Sequence, residues 1–346
     1  SGPVTEWTFA NGVVVSHQET DITEGSVDVR LESTGGWSTL DGVGAGIAGL
    51  AVGAVLGSGV GPHDAATLER FLERHDVGLG AEILEHEERV AGVAATDDAA
   101  VLFQLLHLTM TRPRVDDVAF RAALRQAETL ARRADSDADL RAQIALVDLL
   151  TGTDPRYDDV VPVAALDDID PRSLRDVFTA RFGAVDDLHV AIVGDLDQAT
   201  ARELAARYLG TLPPGPSDTW VDLGIPRPDG PRSAEVELVD DTADGGIIVV
   251  DWLEAPPSEE REVAAALLAT VITTRITAVI REELGASYGG FASIELARAG
   301  PSALVSVIRV DGDPTRLDEI RSALFDALAA LATEGPTDEE LSLIHI

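Results

Sequence analysis

The residues of this sequence that most suggest chemistry are Arg281 and Tyr288, which flank the point where a long predicted helix ends at Gly285. A guanidinium presents fixed N–H donors that suit a peptide carbonyl, and a phenol at the start of a strand can donate to a developing oxyanion. In the structural alternative, Arg281 interacts with the helix dipole and Tyr288 is an ordinary strand aromatic. Residue types alone favour that structural alternative.

Two other motifs resemble a cofactor site and a metal site but lack the context that such sites need. Residues 44–49, GAGIAG, match the G-x-G-x-x-G pattern of dinucleotide-binding turns, but no parallel βαβ series follows them. Packing of small residues in a helix is the favoured interpretation. Residues 85–88, EHEE, contain metal-ligand types, yet neither H-E-x-x-H nor H-x-x-E-H occurs, so we expect a solvated acidic turn.

Two isolated polar residues are expected to have structural roles. His107 lies on the apolar face of its predicted helix, which favours a semi-buried side chain over a metal ligand. Asp197 follows a predicted strand directly and precedes a helix, so capping of that helix is favoured over catalysis. No Ser-His-Asp arrangement can be argued from the sequence.

The composition excludes several classes of function. Sixty-one acidic residues against 26 basic ones, all of them arginine, give a formal charge of −35. That field repels phosphate backbones and no arginine cluster offsets it, so nucleic acid is not an expected partner. With no cysteine, disulfides, thiolate metal sites and cysteine nucleophiles are excluded. The uncharged run 42–62 is rich in glycine and lacks interfacial anchors, so we expect a buried helix at 45–56 and no membrane span.

Periodicity and turn residues predict an α+β chain. The predicted strands are 5–10, 13–17, 26–32, 77–84, 88–94, 188–193, 234–238, 246–253, 288–296 and 303–310. The predicted helices are 45–56, 64–75, 97–110, 115–134, 138–150, 171–182, 198–208, 258–283 and 315–332. Strands with short turns, interleaved with helices, favour antiparallel-rich sheets packed against helices.

The order of elements repeats along the chain, with Pro113 and Pro336 at equivalent points. We therefore expect a first α+β domain at 1–212, a linker at 213–230 and a second α+β domain at 231–346. If the two copies match in length, the second lacks about 90 residues at its C-terminal end. The last residues, SLIHI, depart from the preceding polar pattern, which suggests a truncated frame or foreign sequence.

Three segments, VIREELGASYGGFAS, HVAIVGDLD and YLGTLPP, together with the paired domains, resemble the insulinase (pitrilysin) family of zinc peptidases. The chain looks like the C-terminal, non-zinc half of a long bacterial member. The resemblance implies two α+β domains per half, with the halves closing around an unfolded peptide. It also implies that zinc sits on an H-x-x-E-H helix in the N-terminal half. The corresponding helix here, 45–56, has no His and no Glu, so no metal ligands are expected in this chain.

By the same resemblance, Arg281 holds a substrate carbonyl, Tyr288 stabilises the tetrahedral oxyanion, and Gly285 permits the turn between them. The implied partners are a peptide substrate and a zinc-bearing half, either in the same polypeptide or as a separate subunit, and the chain alone is expected to be inactive. The alternative is a non-catalytic family member that acts as a binding or assembly subunit. The compartment is not determined by the sequence; loss of a signal peptide with the N-terminal half would make it periplasmic or otherwise extracytoplasmic.

Overall fold

The computed structural model of the chain describes residues 2–134, 136–183, 185, 187–215, 219–225, 230–237, 245–283, 285, 287–297 and 300–344, with the backbone alone for residues 282, 283, 287, 288, 339, 343 and 344. The chain divides into two compact units, Ser1–Val236 (unit 1) and Glu237–Ile346 (unit 2). The domain bounds 1–212, 213–230 and 231–346 remain a sequence-based prediction.

Unit 1 is built on a six-stranded sheet. Its strands are β1 Thr5–Thr8, β2 Val14–Glu19, β3 Ser26–Thr34, β4 Val77–Ile83, β5 Glu87–Ala95 and β6 His189–Gly194. Their order across the sheet is β1-β2-β6-β3-β5-β4, and every neighbouring pair is antiparallel except β2 with β6. Alternating apolar residues on β3 face inward and are almost completely buried, which fixes the register of the central strands.

Helices cover the sheet of unit 1 and supply a second layer. They are α1 Ala45–Leu56, α2 Ala65–Leu72, α3 Ala99–Thr111, α4 Asp117–Arg133, α5 Ala138–Thr151, α6 Val163–Leu166, α7 Pro171–Phe182 and α8 Gln198–Leu204. A π-helical turn, Ala205–Leu209, continues α8. Carboxylates cap several of these helices; Asp64, for example, accepts from Thr67 N at 2.8 Å.

The small-residue helix α1 forms at the predicted bounds and is central to unit 1. Ala48 and Val52 lie in the main core, whereas Ala51 and Ala54 belong to a second cluster with residues of α7. A side chain at Gly44 would collide with the backbone of residue 156, so glycine is needed for close approach. The 12-residue helix is too short to span a bilayer, and the GAGIAG motif serves packing.

Unit 2 contains a three-stranded antiparallel sheet with three helices. Its elements are β7 Gly245–Glu254, α9 Glu259–Ile276, β8 Ser287–Ala297, β9 Ala303–Gly312, α10 Leu317–Glu334 and α11 Asp338–Ile344. The strand order is β7-β9-β8, and a π-helix, Thr277–Glu283, extends α9. The core forms where Ile272 and Ile276 of α9 and Leu324 of α10 meet the sheet.

Within the described part of the chain, the run Glu259–Arg281 is the one helix long and apolar enough, by length and composition, to cross a membrane. Its buried residues, among them Ile272 and Ile276, pack into the core of unit 2. This packing is that of a core helix in an α+β domain, and such helices meet the same length and composition criteria.

One sequence-based expectation about the strands is wrong. The predicted strand 234–238 does not form, because residues 231–237 have no regular structure; Leu238 lies outside the described residues. Helix α11 runs as far as Ile344, whereas His345 and Ile346 at the end of the tail SLIHI lie outside the described residues, so the interpretation of that tail stays a prediction. The helix α6 and both π-helices were not predicted.

Candidate functional site

The corner that carries Arg281 is positioned by the end of α9. Ile276 and Ile280 are each 1% exposed and anchor this end of the helix in the core. The π-helix there places seven residues, Thr277–Glu283, in a wider turn than an α-helix has, and such turns occur frequently at functional sites. Gly285 then adopts φ +57°, a left-handed conformation that lets the chain leave the helix and enter β8.

The Arg281 side chain is exposed at this corner. It makes no hydrogen bond or ion pair with any described residue, whereas Arg275, on the same helix, is bound to Glu340. In a chain with so many more carboxylates than guanidinium groups, an arginine that has no partner among the described side chains is a candidate to donate its N–H groups to a ligand.

Tyr288 lies at an irregularity of β8. The register with β9 shifts between Ser287 and Gly289, so Tyr288 is the extra residue of a bulge. Bulges occur often beside active sites because they re-aim a side chain. The structure thus places Arg281, Gly285 and the Tyr288 backbone at one helix-to-strand corner. The Tyr288 side chain lies outside the described part, so the joint action of Arg281 and Tyr288 on a substrate stays a prediction.

Gly290 fixes the position of this corner against its neighbours. A Cβ at Gly290 would lie 2.7 Å from the carbonyl oxygen of Arg309 on β9 and 2.9 Å from the Ile276 side chain. The strand can therefore approach both β9 and α9 only because residue 290 has no side chain. Sequence reasoning missed this role, although the Gly289–Gly290 pair beside Tyr288 was the available signal.

The segment Glu85–Glu88 is not the solvated acidic turn that was expected. Glu88 is only 2% exposed, and Arg181 of α7 binds its carboxylate with two N–H groups, each 3.0 Å from an oxygen. Gly36 N and Ser33 Oγ also donate to it, at 2.9 and 2.6 Å. The alternation along β5 directs this residue inward, toward α7. Burial raises the pKa of the Glu88 carboxyl, and Arg181 opposes that effect.

The other residues of this turn also have partners inside unit 1. The Tyr157 hydroxyl donates to Glu85, and burial together with that carboxylate raises the pKa of the phenol. The His86 ring meets Trp220 edge-on, with centroids 4.9 Å apart. No group of three or more His, Asp or Glu side chains among the described residues is arranged to hold a metal ion.

Two structural roles predicted from the sequence are confirmed. His107 Nδ1 lies 2.8 Å from the carbonyl oxygen of Tyr208, with the ring half-buried against the end of the α8 segment. Asp197 accepts from Ala199 N and Thr200 N at 3.0 and 3.1 Å and so caps α8. Neither residue is placed for catalysis.

Two α+β units with antiparallel-rich sheets and a glycine-rich helix in the first unit define the class of fold. A family model described as the peptidase M16 inactive domain matches residues 168–344, just over half of the chain. The chain therefore belongs to the peptidase M16 family, and the resemblance to insulinase-like peptidases is confirmed. No curated protein sequence matches the chain.

Several solved structures share this fold. The periplasmic protease PqqL of Escherichia coli matches with a TM-score of 0.77 and 17% identity, over 99% of this chain and 38% of that one. The ferredoxin protease FusC, solved with Arabidopsis ferredoxin, matches with a TM-score of 0.73 and 16% identity, over 98% of this chain and 37% of that one. A peptidase M16 inactive domain from Pseudomonas fluorescens matches with a TM-score of 0.75 and 19% identity, over 98% of this chain and 82% of that one. The chain thus spans less than two-fifths of the length of PqqL or FusC.

Proposed function

We propose that this chain is the substrate-gripping half of an insulinase-like zinc metalloendopeptidase and that the zinc and the general base lie in a separate N-terminal half. The observation that carries the proposal is Arg281, exposed and unpaired among the described residues, at the π-helical corner that leads to Tyr288. The family model and the protease neighbours support a role in proteolysis. The FusC structure with ferredoxin supports a polypeptide as the partner class.

Each residue of the corner has a defined task in this proposal. Arg281 donates N–H bonds to a carbonyl oxygen of an extended peptide and so fixes the position of the peptide. Tyr288 donates its phenol O–H to the oxyanion that develops when that carbonyl is attacked. Gly285 keeps Arg281 and Tyr288 on the same helix-to-strand turn. The residues of α1 do not fit zinc, because Ala45–Leu56 contains no His, Asp or Glu.

The test uses the complete enzyme, with the zinc-bearing half present. Tyr288→Phe is expected to lower kcat by about 100-fold with little change in KM, since it removes a donor that acts only in the transition state. Arg281→Ala should raise KM as well, because it also removes ground-state binding. Tyr208→Phe, which removes a phenol hydroxyl in unit 1, is the matched control and should leave both constants unchanged.

A second candidate is a non-catalytic binding or assembly subunit. The description of the family model as an inactive domain favours it. Unchanged turnover in Tyr288→Phe, combined with loss of complex formation when unit 2 is destabilised, would assign the chain to this role. A large loss of kcat with intact assembly would assign it to substrate handling.

A further inference from the structure

Strand β4 forms one edge of the sheet of unit 1. It pairs with β5 on one side, and none of the described strands pairs with its other side. At the opposite edge of the sheet, β1 has only four residues and Pro3 lies just before it, and both features discourage the addition of another strand. Strand β4 has seven residues, VGLGAEI, with no proline and one charged side chain, so it lacks most of that protection.

The backbone groups of β4 that face this edge are identified by the hydrogen bonds at the two ends of the strand. Ala95 N donates to the carbonyl oxygen of Asp76 at 3.0 Å, and Leu84 N donates to that of Glu87 at 2.8 Å. Hydrogen-bonded pairs alternate along an antiparallel ladder. The even-numbered residues of β4 therefore bond to β5, and the odd-numbered ones point their N–H and C=O groups away from it.

Leu79 and Ala81 supply the unoccupied part of this edge. Their outward N–H and C=O groups make no hydrogen bond with any described residue, whereas Val77 N, the preceding outward donor, bonds to the carbonyl oxygen of His75 at 3.1 Å. We define the open edge of β4 as the N–H and C=O groups of Leu79 and Ala81. These groups have the spacing of a strand and form the pattern with which an added strand pairs.

The side chains around the open edge suit an apolar partner. Leu79 and Ala81 point toward the core of unit 1 but are only half-buried. Phe71 of α2 is 45% exposed, and its ring centroid lies 4.6 Å from that of His75, just before β4. Leu84, directly after β4, is 37% exposed. An apolar side chain is therefore available near each end of the strand.

On the other face of β4, two glycines leave the sheet uncovered. Gly78 and Gly80 are exposed, and a Cβ at Gly80 would have nothing within 4 Å. Gly80 pairs with Ala91 of β5, which is also exposed. A large side chain on a neighbouring strand can cover a glycine at the edge of a sheet, so an aromatic or aliphatic residue of the partner fits beside Gly80.

The charges of this region favour one kind of partner. Residues 64–85, from the cap of α2 to the turn after β4, contain six carboxylates and two arginines, in a chain whose formal charge is −35. A positively charged segment is therefore attracted to this edge, and an acidic one is repelled.

We propose that the open edge of β4 binds an extended, positively charged segment of unfolded polypeptide as an additional strand of the sheet. Its backbone bonds to Leu79 and Ala81, and an apolar side chain covers Gly80. Helix α1, which contacts β4, contains no His, Asp or Glu, so the segment is held at this edge without being cleaved there. The site lies wholly within unit 1 and uses neither Arg281 nor Tyr288, so it goes beyond the proposed function.

Binding of a fluorescent peptide to the 346-residue chain tests the proposal. The probe is a short peptide of alternating valine and threonine, with phenylalanine at its centre and arginine at both ends. Ala81→Pro removes one N–H donor of the open edge without removing a bond to β5, and it should weaken binding by about 10-fold or more in fluorescence anisotropy. Thr8→Pro removes an outward N–H at the β1 edge; it is the matched control and should leave binding unchanged.

Two altered peptides test the same proposal on the wild-type chain, so the result does not depend on the folding of a variant. Methylation of the backbone nitrogens of the peptide should abolish binding, because strand pairing then lacks the donors of the peptide. Replacing its terminal arginines with glutamates should weaken binding by about 10-fold, because the region around β4 is acidic. Circular dichroism confirms that Ala81→Pro and Thr8→Pro are folded.

Four outcomes would overturn the proposal. The first is no binding of the arginine-ended peptide to the wild-type chain, and the second is equal binding of the methylated peptide. The third is a dimeric chain that becomes monomeric with Ala81→Pro, which would assign the edge to a second copy. The fourth is unchanged peptide binding in folded Ala81→Pro; if Tyr288→Phe still lowers kcat in the complete enzyme, the proposed function stands without this site.

Discussion

At the scale of single residues, Arg181 and Glu88 show how a charged residue can belong to a core. Their side chains are 4% and 1% exposed, and every guanidinium–carboxylate contact is a charge-assisted hydrogen bond. Arg181 also donates to Thr39 Oγ1 at 2.9 Å, which ties the loop after β3 to α7. Gly35, at φ +140°, leaves room for the guanidinium, because a side chain there would collide with it.

Removing one partner of this pair leaves the other charge buried without compensation. We expect Arg181→Leu to lower the free energy of unfolding of unit 1 by about 3–5 kcal/mol. Replacing both partners, Arg181→Leu with Glu88→Leu, should recover much of that loss, because a neutral pair avoids the desolvation cost. Urea unfolding of the three proteins checks this; a double variant as unstable as the single one would contradict it.

Arg275 and Glu340 form the corresponding ion pair in unit 2. Two N–H groups of Arg275 lie 2.7 Å from the two carboxylate oxygens, and this arginine lowers the pKa of Glu340 to about 2. Because the pKa is lower in the folded state, the stabilisation is complete above about pH 4.5, the ordinary pKa of glutamate, and is lost as the pH falls toward 2. The pair joins α11 to α9.

Glu340→Gln should therefore weaken the attachment of α11 at pH 7 by about 2 kcal/mol. The difference in attachment free energy between wild type and variant should become smaller as the pH falls below 4.5. The ratio of α11 amide exchange rates, variant to wild type, measures this and cancels the intrinsic pH dependence of exchange. Glu334→Gln, also near Arg275, is the control and should give a ratio close to one. A Glu340→Gln ratio that stays constant from pH 7 to pH 3 would show that ionisation of Glu340 has no role.

At the scale of elements, the sequence predicts best where local signals and tertiary packing agree. Helix α1 has the predicted bounds because glycine breakers flank a run of small apolar residues. The strand predicted at 234–238 does not form over its described residues 234–237, because alternation alone cannot form a strand and none of the described strands pairs with this segment. A π-helix has the composition of an α-helix, so the wider turn beneath Arg281 is invisible in the sequence. The burial of Glu88 depends on a residue 93 positions away.

The turn between α9 and β8 depends on the left-handed conformation of Gly285. A Cβ at this position has nothing within 4 Å, so Gly285→Ala should cost only the backbone penalty, about 1–2 kcal/mol. Gly152, which ends α5 at φ +69° and is equally open, is a matched control. Both variants should lose similar stability in urea, but only Gly285→Ala should reduce kcat/KM of the complete enzyme. Equal activities would show that the corner does not contact substrate.

At the scale of the whole molecule, the net charge of −35 and the scattered positions of the histidines determine how the chain binds metal ions. Many carboxylates attract divalent cations weakly, but tight zinc binding needs several ligands that converge on one point. The described residues offer no such group, and α1 contains no ligand type. We therefore distinguish diffuse association with the surface, which salt screens, from a zinc site.

After dialysis in 0.5 M NaCl, the isolated chain should retain well below one zinc per molecule and cleave no peptide, because the proposed function assigns the metal and the general base to another half. Elemental analysis and a fluorogenic peptide assay measure the two properties. Adding the zinc-bearing half should restore cleavage, and the restored rate should fall with Tyr288→Phe. One zinc per chain that survives salt dialysis would place the metal in this chain and contradict the division of labour between the halves.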